Sequence, residues 1–277
     1  MQDEVTAQLT SWLRPWELMD PRIADELTVT GDRSRAWLVI ADDHRYVAKL
    51  TFDAPRFTEP GLRIAAALDG AGITTGAPIR TRTGTVCEPV SRSTAIWNVA
   101  VLEFVDGDPL DWTAPDAPEL CGDLLGRVHR TLSSVSGIDP AGRLLDFYAH
   151  EARRLTGRRG EALSDAVAAV HEFDERVGLP FGVLYGDPSP EVLRDKVTGA
   201  LALIDWGTPS WGPALFDLIS WQLLATRQQP ANADVVDRLT SAYRQRMPVD
   251  DAELAGDDVI HQLYQAIGAI SRPPAHS

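Results

Sequence analysis

Two short apolar runs, each ending on an aspartate, constrain this chain more than any other feature. Gly182-Val183-Leu184-Tyr185 leads into Gly186-Asp187, and Leu201-Ala202-Leu203-Ile204 leads into Asp205. Between them, Lys196-Val197-Thr198-Gly199 has the composition of a tight turn. The reading is a hairpin with arms at 182–185 and 201–204, holding two carboxylates side by side at one mouth. Phosphoryl transfer from a nucleotide uses such a pair. One acid orients the acceptor hydroxyl, and the other holds Mg²⁺ on the phosphates.

Upstream, Leu27–Thr30, Arg35–Ile40 and Tyr46–Leu50 alternate as strands, with turn residues at Gly31-Asp32 and Asp42-Asp43. Lys49 lies on the third of these apolar strands, where a buried ammonium needs a charged partner. Val5, Leu9, Trp12, Leu13 and Trp16 have helical spacing, interrupted at Pro15. Thr58 caps a helix running to about Asp69, with Pro60 in its first turn and Gly70 and Gly72 at its end. Ala77–Arg80 and Thr85–Val90 read as strands, followed by a further strand from Trp97. The Asp- and Pro-rich segment 106–118 then marks a boundary. Helical patterns follow at 119–132, 145–156, 161–177, 215–226, 233–244 and 259–270. The expected class is α+β, with domains at 1–105 and 106–277 and a hinge at about 103–108.

The chain has 277 residues and a formal net charge of −14, with 44% hydrophobic residues. That length supports two lobes with sizeable cores. The acidic balance argues against nucleic-acid binding, which needs a basic face. It suits a cationic small molecule drawn to an acidic cleft, although a negative surface also simply favours solubility. Only Cys87 and Cys121 are present, too few for a disulfide framework, and the first residues lack the order of a signal peptide. No apolar run is long enough to span a bilayer. A cytoplasmic protein with no membrane partner, monomeric or homodimeric, is expected.

The stretch from Leu184 to Asp217 resembles the catalytic core of the aminoglycoside phosphotransferase family, which has the protein-kinase-like fold. Gly186-Asp187, Ile204-Asp205, Gly212 and Asp217-Leu218 match its pattern in order. Two positions depart from it. Tyr185 stands where the family has His, and the metal-binding Asn is missing: Val192 lies five residues after Asp187, with Glu191 one position early. The likeness extends from about Thr28 to Leu223.

The resemblance implies a bilobal fold, with a small antiparallel-sheet lobe followed by a mainly helical lobe. It implies Mg²⁺, ATP or GTP as phosphate donor, and a small-molecule hydroxyl as acceptor. Asp187 becomes the catalytic aspartate, which accepts a hydrogen bond from the acceptor hydroxyl and takes its proton. Asp205 binds metal, and Glu191 offers a second hard oxygen ligand. Lys49 meets the phosphates, Glu59 is its candidate ion-pair partner, and Glu103, Phe104 and Val105 form the hinge against the base. Gly31–Ser34 stands in for a glycine-rich loop. Asp217 caps the catalytic-loop backbone, and His129 is a packed core or cap residue. The function expected is phosphoryl transfer to a small molecule such as an antibiotic or related metabolite. The alternatives are a catalytically impaired nucleotide- or partner-binding relative, and a kinase acting on a biosynthetic peptide.

Overall fold

The computed structural model describes residues 2–28, 34–53, 55–92, 95–140 and 142–271. By its internal contacts the chain divides into two compact units. One comprises Met1–Pro109 with Glu191–Gly207, and the other comprises Leu110–Pro190 with Thr208–Ser277.

The first unit carries β1 (Arg22–Glu26), β2 (Ser34–Ala41), β3 (His44–Thr51), β4 (Glu88–Arg92) and β5 (Ala95–Glu103). They form an antiparallel sheet in the order β1-β2-β3-β5-β4. Asp42 and Asp43 close the β2–β3 hairpin, both with positive φ (52° and 60°), as a two-residue turn between twisted strands requires. The two sides of β5 separate two cores by the period of two. Val99 and Val101 join Trp37, Val39, Ala48 and Leu50 beneath Val5 and Leu9 of α1 (Gln2–Trp12). Ala100 and Leu102 pack on the other face with Leu62 of α2 (Pro55–Gly70), Val86 and Cys87. A short 3-10 turn, Arg14–Trp16, follows α1, and the Trp16 indole donates to the Ile79 carbonyl at 2.8 Å.

A smaller sheet completes this unit. β6 (Gly107–Pro109), β8 (Glu191–Asp195) and β9 (Leu201–Ile204) lie in the order β6-β8-β9. The Leu203 N–H donates to the Thr74 carbonyl at 3.0 Å, which ties β9 to the segment after α2.

The second unit is mainly helical, with α3 (Ala117–Ser134), α4 (Leu144–Arg154), α5 (Arg158–Val177), α6 (Leu215–Gln228), α7 (Val235–Arg246), α8 (Asp251–Leu254) and α9 (Asp257–Ser271). A two-stranded sheet pairs β7 (Phe181–Leu184) with β10 (Ser210–Pro213). Two glycines let α3 and α7 approach closely. A Cβ on Gly122 would lie 2.1 Å from the Leu239 carbonyl oxygen, and one on Gly126 would lie 2.7 Å from that of Tyr243. Among the described residues, no helix is long and apolar enough to cross a membrane.

Four expectations need correction. The hairpin around Lys196–Gly199 joins β8 to β9, so 201–204 does not pair with 182–185. A tight turn pairs the arms immediately beside it, whereas Gly186 (φ 78°), Pro188 and Pro190 carry the chain away from β7. Of the strand expected at 27–30, residues 29 and 30 lie outside the described residues, and the first strand lies at Arg22–Glu26, ending before Leu27. It is a largely exposed edge strand with a register irregularity between Ile23 and Asp25, which hides its alternation. Of Ala77–Arg80 and Thr85–Val90, only a single bridge at Pro78 and the strand from Glu88 form. Between them the Thr81 hydroxyl bonds those of Thr83 and Thr85 in a turn. Finally, α2 begins at Pro55, so Pro60 lies inside the helix and not in its first turn.

The helix approach yields a test. Gly122→Ala should destabilise the protein by about 1–3 kcal/mol through overpacking against α7. Gly268→Ala, whose added Cβ meets nothing within 4 Å, should be neutral or slightly stabilising by helix propensity. Urea denaturation of the two variants checks the contrast.

Candidate active site

Lys49 sits on β3 opposite Ala36 of β2 and Ala100 of β5. It therefore shares the sheet face carrying Ala100, away from the core face of Ala48 and Leu50. Small residues on both sides leave space around its stem. Its ammonium pairs with Asp205, 156 residues later in the chain. The Lys49 side chain is 16% exposed and that of Asp205 45%, so solvent screens the pair and its contribution to stability is only about 0–1 kcal/mol.

Asp205 follows β9 and adopts a left-handed backbone (φ 59°), which aspartate tolerates better than most residues but still at a cost of about 1–3 kcal/mol. Trp206 anchors the turn: it is buried, and its indole donates to the Leu203 carbonyl at 3.0 Å. A side chain on Gly207 would come within 3.1 Å of an Asp205 carboxylate oxygen, so glycine keeps that carboxylate accessible. Glu191 begins β8 directly opposite Ile204, the residue before Asp205. Directly opposed residues share a face, so Glu191 lies beside Ile204 at the strand ends, away from the buried pair Val192 and Leu203. A position one residue early in sequence thus stands opposite the residue that precedes Asp205.

Glu59 does not meet Lys49. Its carboxylate accepts from Arg63, one turn along α2, at 2.6 Å. The hinge candidates follow β5. Glu103 donates its N–H to the Ala77 carbonyl at 2.9 Å, and Arg45 lies 4.4 Å over the Phe104 ring. Gly76 passes beneath: its absent Cβ would sit 3.1 Å from the Glu103 carbonyl oxygen and 3.5 Å from Val105 Cγ2. Arg45 also pairs with Asp106 at 2.6 Å, and this bond holds the Asp106 carboxyl below its ordinary range. Gly31, Asp32 and Arg33 lie outside the described residues.

Asp187 belongs to the second unit, on the loop after β7. One of its oxygens accepts the Ser189 N–H at 2.8 Å, a local turn that fixes the carboxylate on its own backbone. The residues before it are held from below. Asp217, fully buried in the first turn of α6, accepts the Tyr185 N–H at 2.7 Å on one oxygen and the Gly186 N–H at 3.0 Å on the other. Gly186 is required there, since a Cβ would lie 2.5 Å from the Thr208 carbonyl oxygen. His129 of α3 also contacts Asp217, at 3.1 Å through Nε2, and bonds the Tyr243 hydroxyl at 2.8 Å through Nδ1. Tyr243 had no role in the sequence reading. Glycines four apart on α3, at 122 and 126, are the signal that points to the α7 contact bringing it there.

Burial pushes the Tyr264 phenol up, with Arg227 opposing and Asp187 adding to the shift. Tyr264 packs against Phe216 with ring centroids 6.0 Å apart. Burial, with Tyr264 nearby, likewise pushes Tyr148 up. The acidic residues Asp250, Asp251, Glu253, Asp257 and Asp258 lie at helix starts. Asp250 and Glu253 form a reciprocal cap, and Asp251 pairs with Arg244 at 2.9 Å.

These features define a bilobal, protein-kinase-like fold with a sheet-bearing lobe and a helical lobe. The chain belongs to the phosphotransferase enzyme family, whose model matches residues 27–254. No curated protein matches it significantly by sequence. Among solved structures, an amicoumacin kinase in complex with AMP-PNP, Ca²⁺ and Ami has a TM-score of 0.75 at 14% identity, covering 100% of this chain and 91% of that one. A microcompartment-associated aminopropanol kinase has a TM-score of 0.73 at 16% identity, covering 99% and 90%. The choline kinase LicA from Streptococcus pneumoniae has a TM-score of 0.58 at 15% identity, covering 100% and 93%. Identities this low establish the shared fold. Membership of that family gives phosphoryl transfer as the general activity.

Asp217→Asn should destabilise the protein by about 3 kcal/mol, because the amide cannot replace a carboxylate accepting from both backbone N–H groups and His129. Denaturant unfolding measures this. A loss below about 1 kcal/mol would mean that the carboxylate does not hold the loop.

Proposed function

We propose that this protein transfers the γ-phosphoryl group of ATP or GTP to a hydroxyl of a small molecule, an antibiotic or related metabolite. The observation that carries this reading is the Lys49–Asp205 pair. A strand lysine and a turn aspartate from distant parts of the sequence meet where the family pattern assigns them phosphate and metal.

The chain's own residues divide the work. Lys49 neutralises phosphate oxygens as a point charge. Glu103, Phe104 and Val105 offer hinge backbone to the purine edge. Asp187 accepts a hydrogen bond from the acceptor hydroxyl and takes its proton late, since the transition state is loose and positioning supplies most of the gain. The Ser189 N–H holds one Asp187 oxygen, which fixes the carboxylate for that task.

The donor set fits Mg²⁺. Asp205 and Glu191 supply hard carboxylate oxygens at adjoining strand ends. Among the described residues no group of three or more His, Cys, Asp or Glu could hold a metal. Mg²⁺ is usually bound through one or two carboxylates together with substrate phosphates. When bound, Mg²⁺ supplies charge neutralisation on the phosphates. Glu191 carries a negative charge where the family's Asn is neutral, so an ion held here would meet two carboxylates.

Tyr264, whose phenol responds to both Asp187 and Arg227, is the candidate acceptor-side group. The solved relatives named above include kinases of aminopropanol and choline. Together with the net charge of −14, this supports a cationic amino alcohol or aminated antibiotic as the acceptor class.

The test is nucleotide turnover with a panel of hydroxylated amines and antibiotics, with and without Mg²⁺. Wild type should release nucleoside diphosphate with at least one acceptor. Asp187→Asn should lose about 10²-fold or more in kcat while retaining nucleotide affinity. Undiminished turnover in that variant would sink the assignment. Tight nucleotide binding with no turnover for any acceptor would favour the non-catalytic reading.

A further inference from the structure

The buried contacts behind the Asp187 loop form a chain longer than a backbone cap requires. Tyr243 OH lies 2.8 Å from His129 Nδ1, and His129 Nε2 lies 3.1 Å from Asp217 Oδ2. That same oxygen accepts the Tyr185 N–H at 2.7 Å, while Oδ1 accepts the Gly186 N–H at 3.0 Å. Tyr243 and Asp217 are 0% exposed and His129 is 4% exposed. No bulk solvent supplies a substitute donor or acceptor at such sites.

Proton accounting limits what each group can do, since the role of an imidazole nitrogen depends on the tautomer. An ionised carboxylate only accepts, so the Asp217–His129 contact requires a proton on Nε2. In the neutral imidazole Nδ1 then carries the lone pair and needs a donor. The Tyr243 hydroxyl is the group placed to donate to it. Burial, reinforced by Asp217, pushes the Tyr243 phenol upward, so it keeps its proton at any working pH.

The helix packing holds this geometry. Gly126, one turn before His129 on α3, admits the Tyr243 backbone, and the two rings meet edge to face at 5.7 Å and 87°.

We propose that Tyr243 is a positioning residue for phosphoryl transfer: its hydroxyl fixes the Nε2–H tautomer of His129, which orients Asp217, which in turn holds the backbone that presents Asp187. The link to transfer rests on the catalytic role of Asp187 proposed above; the link from Tyr243 to the loop does not. The chemistry is second-hand orientation of a reacting group, of the kind in which a small misplacement lowers turnover without weakening binding.

Tyr243→Phe keeps the ring, its volume and the edge contact, and removes only the hydroxyl. Three readouts test it. In wild type, ¹⁵N imidazole NMR should find His129 neutral, protonated at Nε2 and hydrogen-bonded at Nδ1. In the variant that signature should be lost, and amide exchange at Tyr185 and Gly186 should quicken about tenfold or more. With an acceptor in hand, kcat should fall about tenfold to a hundredfold while KM for nucleotide stays unchanged.

An Nδ1–H tautomer in wild type would overturn the proposal by itself, whether or not the variant folds. So would a variant with unaltered His129 resonances and unaltered exchange at Tyr185 and Gly186. Faster exchange in the variant, in a protein that turns over no acceptor, would uphold the positioning chain and overturn the catalytic reading on which its link to transfer rests.

Discussion

One buried carboxylate carries the architecture of the helical unit. Asp217 sits in the first turn of α6, where the helix dipole already favours negative charge. Burying that charge would be costly without partners, and it has three: two backbone N–H groups and an imidazole. The arrangement converts an electrostatic requirement into a geometric one. Tyr185 and Gly186 go where their N–H groups meet both Asp217 oxygens, and Asp187 is the next residue. The steep left-handed turn at Gly186 and its close approach to the Thr208 carbonyl leave little freedom.

The sheet-bearing unit solves a different problem with less burial. Lys49 and Asp205 are partly exposed, and their pairing contributes little to stability. Holding Asp205 in a left-handed conformation costs more than that pairing returns, so the surroundings must impose it. Trp206 does so by burying its ring and bonding the Leu203 carbonyl. Strain held in place by a packed neighbour is characteristic of residues kept for a task and not for folding. Glu191 enters the same setting through strand register, which places it beside Ile204, the residue before Asp205.

Much of this was legible in the sequence, and the gaps have physical causes. The helices were visible because their apolar period survives wherever one face is buried, as in α3 with Leu124, Leu125, Val128 and Leu132. Lys49, Asp187, Asp205 and Asp217 stood out because charged residues end or interrupt apolar runs. Edge strand β1 was missed because exposure on most of its length erases alternation. The hairpin partner was mistaken because two apolar arms flank a turn at different distances, and only the nearer one pairs with it. The Glu59–Arg63 pair and the Tyr243–His129 contact depend on rotamers and on helix approach, neither of which a linear pattern encodes. A boundary drawn once along the chain likewise cannot return residues 191–207 to the sheet-bearing unit, because that return depends on β6 pairing with β8.

The central claim is a working metal–nucleotide site at Lys49 and Asp205, and thermal unfolding with ATP and with GTP, each with and without Mg²⁺, tests it most directly. Ligand that binds only the native state stabilises it by about 2.7 kcal/mol at a hundredfold excess over Kd. The account predicts a Mg²⁺-dependent rise in the midpoint for wild type with at least one nucleotide, and its loss in Asp205→Ala. No rise at saturating nucleotide, or the same rise in the variant, would contradict it.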